Sequence, residues 1–171
     1  MTSKPARVAA LATLTPLLLV LLCACAPTVA LAPAADAANP GCANAIVRLP
    51  GSVDGLEIRQ TDAQATGAWG SPAAIILRCG ITPPGPSTDR CYTVGGIDWL
   101  RDTSKAPTFI YTTFGRTPAI QVTVDGTKTT ADGATALSDL ANAVGFVKQT
   151  RRCLVPVDSA PVDSPPVTPA P

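Results

Sequence analysis

The run Ala73-Ala74-Ile75-Ile76-Leu77 constrains the chain most; it is entered through Trp69-Gly70-Ser71-Pro72 and left through Arg78-Cys79-Gly80. An unbroken apolar run of that length between turn residues predicts a short strand buried on both faces. It cannot extend far. Beyond Gly80 the chain carries Pro83, Pro84 and Pro86, which lack the amide donors a sheet interior requires. The other segments therefore read as layers built around this strand.

Cys42, Ile46 and Leu49 fall at helical spacing and Pro50-Gly51 stops the pattern, which predicts a short first helix over 42–49. Leu56 to Gln60 alternates apolar and polar residues, as a half-buried strand does, and 61–68 reads as a polar loop. Cys91–Val94 and Ile97–Leu100 flank Gly95-Gly96, a pair suited to the positive φ angles of a two-residue hairpin turn. Thr108–Thr113 and Ala119–Val124 form a second hairpin through Phe114–Pro118, with Ile120, Val122 and Val124 on one face. After Asp125-Gly126 the period changes. Leu137, Leu140, Ala141, Val144 and Val147 make one helical stripe, capped by Thr130 or Asp132. The predicted fold class is α+β in two layers: an antiparallel sheet of about five to six short strands, with a short N-terminal and a longer C-terminal helix on one face.

The ends read differently. Lys4 and Arg7 precede the apolar stretch from Val8 to Leu22, which has the size of a signal-peptide core and is short for a membrane span. Leu22-Cys23-Ala24-Cys25 fits a bacterial lipobox in which Cys25 receives the lipid; ordinary cleavage at Ala30-Leu31-Ala32 or Ala35-Asp36-Ala37 is the rival. The organisation expected is a signal peptide with lipobox at 1–25, an Ala/Pro-rich tether at 26–40, one domain at 41–153 and a Pro-rich disordered tail at 154–171. The expected location is the extracytoplasmic face of the cell membrane through the lipid, or alternatively the medium.

Export changes how the cysteines read. Of six, Cys42, Cys79, Cys91 and Cys153 lie beyond the lipobox, in a chain without histidine. Two disulfides are expected rather than a metal site, and no Cys-x-x-Cys is present. The spacing leaves all three connectivities open, including Cys79–Cys91 with Cys42–Cys153.

Without histidine, no Ser-His-Asp or Cys-His constellation can be built, and no glycine-rich phosphate loop appears; no cofactor and no catalytic residue is expected. A carboxylate pair such as Glu57 with Asp98 is the remaining hydrolytic possibility, acting on wall material. The near-neutral charge offers no basic stripe for nucleic acid. A candidate ligand site consists of Arg78, Asp98 and Arg116, with Trp69 and Trp99 as a sugar-stacking platform. The structural alternative pairs Asp98 with one of the arginines and places both tryptophans in the core. Lys148, Arg151 and Arg152 cluster where they can touch anionic polymers or complement the dipole of the last helix.

Trp69-Gly-x-Pro leading to Ile-x-Leu-Arg-Cys-Gly80, then Val94-x-Gly-Ile-Asp-Trp99, then Thr112-Thr-x-Gly-Arg116 resembles the actinobacterial envelope family known as domain of unknown function 3515. The resemblance covers 42–147. It implies an exported or lipid-anchored protein of Gram-positive, high-GC bacteria, and brings no activity or catalytic residues. It further implies the pairing Cys42–Cys79 with Cys91–Cys153. The partner expected is an envelope protein or a wall polymer.

Overall fold

The computed structural model describes residues 27–87, 89–130, 133–153 and the backbone of 157–158. Cys25 and the leader lie outside the described residues. The elements are α1 (Pro40–Ile46), β1 (Ser52–Val53), β2 (Leu56–Arg59), β3 (Thr66–Trp69), β4 (Ile75–Ile81), β5 (Cys91–Val94), β6 (Ile97–Asp102), β7 (Thr108–Thr113), β8 (Ala119–Asp125), α2 (Gly133–Gly145) and β9 (Val157–Asp158). One sheet runs in the order β1-β2-β3-β4-β8-β7-β6-β5-β9, with β4 and β8 at its centre. All neighbours are antiparallel except β5 and β9.

The register explains the core. Ile75, Leu77 and Cys79 of β4 stand opposite Val124, Val122 and Ile120 of β8, so these six side chains share one face. Against them α2 lays Ala136, Leu137, Leu140, Ala143 and Val144, and α1 adds Cys42 and Ala45. Trp69 and Trp99 fill the same layer and are fully buried. Two helices on one face of a largely antiparallel sheet make an α+β domain, braced by the pairs Cys42–Cys79 and Cys91–Cys153 at Cα separations of 5.6 and 6.3 Å. These are the pairs the family resemblance implies.

Several expectations need correction. The sheet has nine strands rather than five or six, because β1, β3 and β9 are too short or too small-residued to show a period. The stretch 61–68 is not wholly a loop: Thr66–Trp69 hydrogen-bonds to both β2 and β4. Strand β4 is buried on the helix face only; Ile76 and Arg78 on the other face are half-buried, with no helix over them among the described residues. Helix α1 begins at Pro40, capped by the Asn39 side chain accepting from Gly41 N at 2.9 Å, and it ends before Leu49. Within the tail, Val157–Asp158 adds to the free edge of β5, where backbone groups need partners.

The stretch 27–39 is not a loose tether either. Val29 N donates to Gln60 O at 2.8 Å, Leu31 N to the Asp62 carboxylate at 2.8 Å, and Asp36 N to Gly80 O at 3.0 Å. Arg59 Nη2 donates to Pro27 O at 2.6 Å, and Ala37 is buried. The backbone polarity of an Ala/Pro-rich segment is as strong as any other, so it docks wherever a sheet edge offers partners.

Candidate functional site

The segment after α2 turns back across the end of the sheet, and the buried charges gather beneath it. Strand β6 alternates, so Trp99 points into the helix layer and Asp98 to the opposite face. There Asp98, 5 % exposed, accepts hydrogen bonds from Thr93 Oγ1 at 2.7 Å, Gln149 Nε2 at 3.0 Å and Cys153 N at 3.1 Å. One carboxylate therefore joins the β5–β6 hairpin to the returning segment, and the Cys91–Cys153 bridge closes the same junction covalently.

Arg116 lies in the loop between β7 and β8 and is equally buried. Its Nη1 donates to Val147 O, and its backbone forms a bridge with Gln149. Burial lowers the guanidinium pKa from its ordinary value; the nearby Asp98 charge opposes that effect and Arg152 adds to it. The arginine thus ties down the chain just beyond the C-terminal end of α2.

The glycines of two resemblance motifs mark close crossings of backbone. Gly115 adopts φ +71°, and a side chain there would run into the Arg151 backbone; Thr150 N donates to Gly115 O at 2.7 Å. Gly80 adopts φ +99° at the irregularity between Cys79 and Ile81, where the N-terminal segment crosses at Asp36–Ala37. Only glycine combines positive φ with so close an approach. The fully buried Thr113 of the Thr-Thr-x-Gly-Arg motif accepts from Ile120 N at 2.9 Å and closes the β7–β8 ladder.

The five proposed ligand residues do not converge. Arg78 shares the Asp98 face but sits three strands away, roughly 14 Å, and gives its Nη2 to the cross-strand Gln121 at 2.6 Å. Trp69 and Trp99 present no ring surface to solvent, so the stacking platform is ruled out by burial. Trp69 Nε1 donates to Pro50 O at 3.1 Å, whereas Trp99 Nε1 is buried without an acceptor among the described residues. Asp98 and Arg116 do come together, through Gln149 and Val147 rather than as a direct ion pair. Glu57 on β2 and Asp98 on β6 are five strand spacings apart, roughly 24 Å, far beyond the separation of a paired-carboxylate hydrolase.

Nothing in the sequence marked Thr93 or Gln149, which are ordinary polar residues in ordinary places; Asp98 was marked by its position between Ile97 and Trp99. Gln149, Thr150, Arg151 and Arg152 line a shallow recess of about 250 Å³, with the Arg151 guanidinium 5.5 Å from the Phe114 ring centre. Among the described residues no group of three His, Cys, Asp or Glu side chains is placed to hold a metal ion, and no helix is long and apolar enough to cross a membrane.

No curated protein and no solved structure matches this chain. A family model described as "protein of unknown function (DUF3515)" matches residues 8–153, from the apolar N-terminal stretch through the last disulfide cysteine. With most of its length matched, the chain belongs to the DUF3515 family.

Proposed function

We propose that this is an exported protein, held by a lipid on Cys25 at the extracytoplasmic face of the cell membrane, with a non-catalytic binding or structural role in the envelope of an actinobacterium. The observation that carries the anchoring is the docked segment behind Cys25. Cleavage after Ala32 would remove the hydrogen bonds made by Pro27, Val29 and Leu31. Cleavage after Ala37 would also remove the bond from Asp36 to Gly80. Lipidation at Cys25 leaves every one of these contacts in place.

The internal bonding of Asp98 and Arg78 supports a non-catalytic role, since groups already bonded to their own chain offer little to a substrate. The face carrying Ile76, Arg78, Ile110, Thr112, Gln121 and Thr123, half-buried and opposite the helices, supports a protein or wall-polymer partner rather than an enclosed small molecule. Fractionation of cells expressing wild type and Cys25→Ser, with the mass of the N-terminal peptide, tests the anchor. Release of Cys25→Ser from membranes is expected. Unchanged fractionation and an N-terminus at Pro33 or Ala38 would defeat it. For the partner role, a photoreactive residue at Thr123 is expected to crosslink in intact cells more strongly than one at Asn44 on α1.

A further inference from the structure

The docked segment also determines how the domain sits. We propose that the β1–β2 end of the sheet, together with the segment from Pro27 to Leu31 that docks beside β2, rests against the lipid headgroups in one orientation, with the β5–β9 edge directed away from the membrane. This rests on the reading that Cys25 carries the lipid. Pro27 is the first described residue, and Arg59 Nη2 holds its carbonyl at 2.6 Å. Val29 is fixed on both sides, donating to Gln60 O at 2.8 Å and accepting from Asp62 N at 3.3 Å. Only two peptide units separate Cys25 from Pro27. Successive Cα atoms are about 3.8 Å apart, so the lipidated residue lies within roughly 7.6 Å of the docked chain whatever the path between them.

A domain on so short a connection cannot swing freely. Gln60 and Asp62, which bond the docked chain, are exposed, as are their sequence neighbours Ile58 and Gln64. Ile58, 43 % exposed, is one of three large apolar side chains open to solvent among the described residues. It supplies apolar area to the headgroup boundary, where such side chains are favoured. No lysine lies here, Arg59 is engaged by Pro27 O and Gly70 O, and Glu57 and Asp62 are exposed carboxylates, so the contact gains nothing from anionic lipid. Lateral distance gives the orientation its consequence. From β2 to β5 the sheet crosses six strand spacings, roughly 29 Å, which carries the β5–β6 hairpin well clear of the surface.

The test uses the full lipidated protein in phosphatidylethanolamine–phosphatidylglycerol vesicles containing brominated acyl chains. Bromine quenches tryptophan only at short range, and the native Trp69 and Trp99 are a constant buried background. The variants Gln60→Trp and Gln64→Trp are expected to lose about half of their added emission at the headgroup boundary, and Arg90→Trp, beside β5, essentially none. Inserting about ten Gly/Ser residues after Ala26 is expected to abolish that contrast, because a flexible linker lets the domain reorient. Vesicle flotation and the lipid mass on the N-terminal peptide are read on the same samples. A protein that floats and carries the lipid, yet shows equal quenching at Gln60→Trp and Arg90→Trp, overturns the orientation alone. A protein without the lipid mass overturns the orientation and the anchoring together.

Discussion

Asp98 is the residue whose replacement is expected to do most damage outside the apolar core. Asp98→Ala leaves three donors without their acceptor: the Thr93 hydroxyl, the Gln149 amide and the Cys153 backbone N–H. A hydrogen bond to a charged group contributes about 1.5–3 kcal/mol. Thr93 and Gln149 are partly exposed side chains that can turn to water, so they count at the low end; the Cys153 N–H is fixed by the nearby disulfide and cannot. Arg116, buried nearby, also loses the one opposing charge that favours its cationic form. The expected destabilisation is about 3–5 kcal/mol, a large part of the roughly 5–15 kcal/mol typical of a domain. Asp98→Asn keeps the shape and one acceptor, and the Thr93 and Gln149 side chains can rotate to accept from it, so about 1–2 kcal/mol is expected. Urea unfolding without reductant, followed by tryptophan fluorescence, is a direct assay because both indoles are fully buried. A cycle with Gln149→Ala isolates the pair and is expected to show a coupling of about 1 kcal/mol. If Asp98→Ala unfolds within about 0.5 kcal/mol of wild type, the size of an ordinary surface substitution, then Asp98 is not the node that ties the returning segment to the sheet.

Two further outcomes can be checked on the same protein. Replacing Cys42 and Cys79 together by alanine opens a loop of 37 residues, for which chain entropy predicts a loss of about 4 kcal/mol, read as a lowered urea midpoint. A loss under about 1 kcal/mol would mean that α1 is held by packing alone. Asp125 closes the turn after β8, and its carboxyl is lowered to about 2 by hydrogen bonds from Lys128 and Thr127. Its folded pKa lies below the unfolded value of about 3.9, so its contribution is complete above that value and is lost as pH falls through about 2. Asp125→Asn is therefore expected to flatten the acid limb of the stability curve between those values while leaving it parallel to wild type near neutrality.

Local chemistry was legible from the residues themselves. The Gly95-Gly96 hairpin, the alternation of Ile120, Val122 and Val124, and the stripe from Leu137 to Val144 all follow from turn angles and periods that act within a few residues, whereas Val147, read as part of that stripe, lies beyond the end of α2. Composition alone, a chain without histidine, excluded the histidine-dependent catalytic constellations. What the pattern could not show is whatever depends on partners far away in the chain. Asp98 meets Gln149 and Cys153 across 51 and 55 positions, and no local signal announces either contact. The short strands β1, β3 and β9 exist because neighbours offer unpaired backbone groups, a property of the assembled sheet rather than of their own side chains. The segment 27–39 reads as a tether by composition and is a docked part of the domain in three dimensions, for the same reason. Sequence determined which pieces this protein is made from; tertiary structure decided which edges those pieces cover, because backbone hydrogen bonding depends little on side chains and is directed by position.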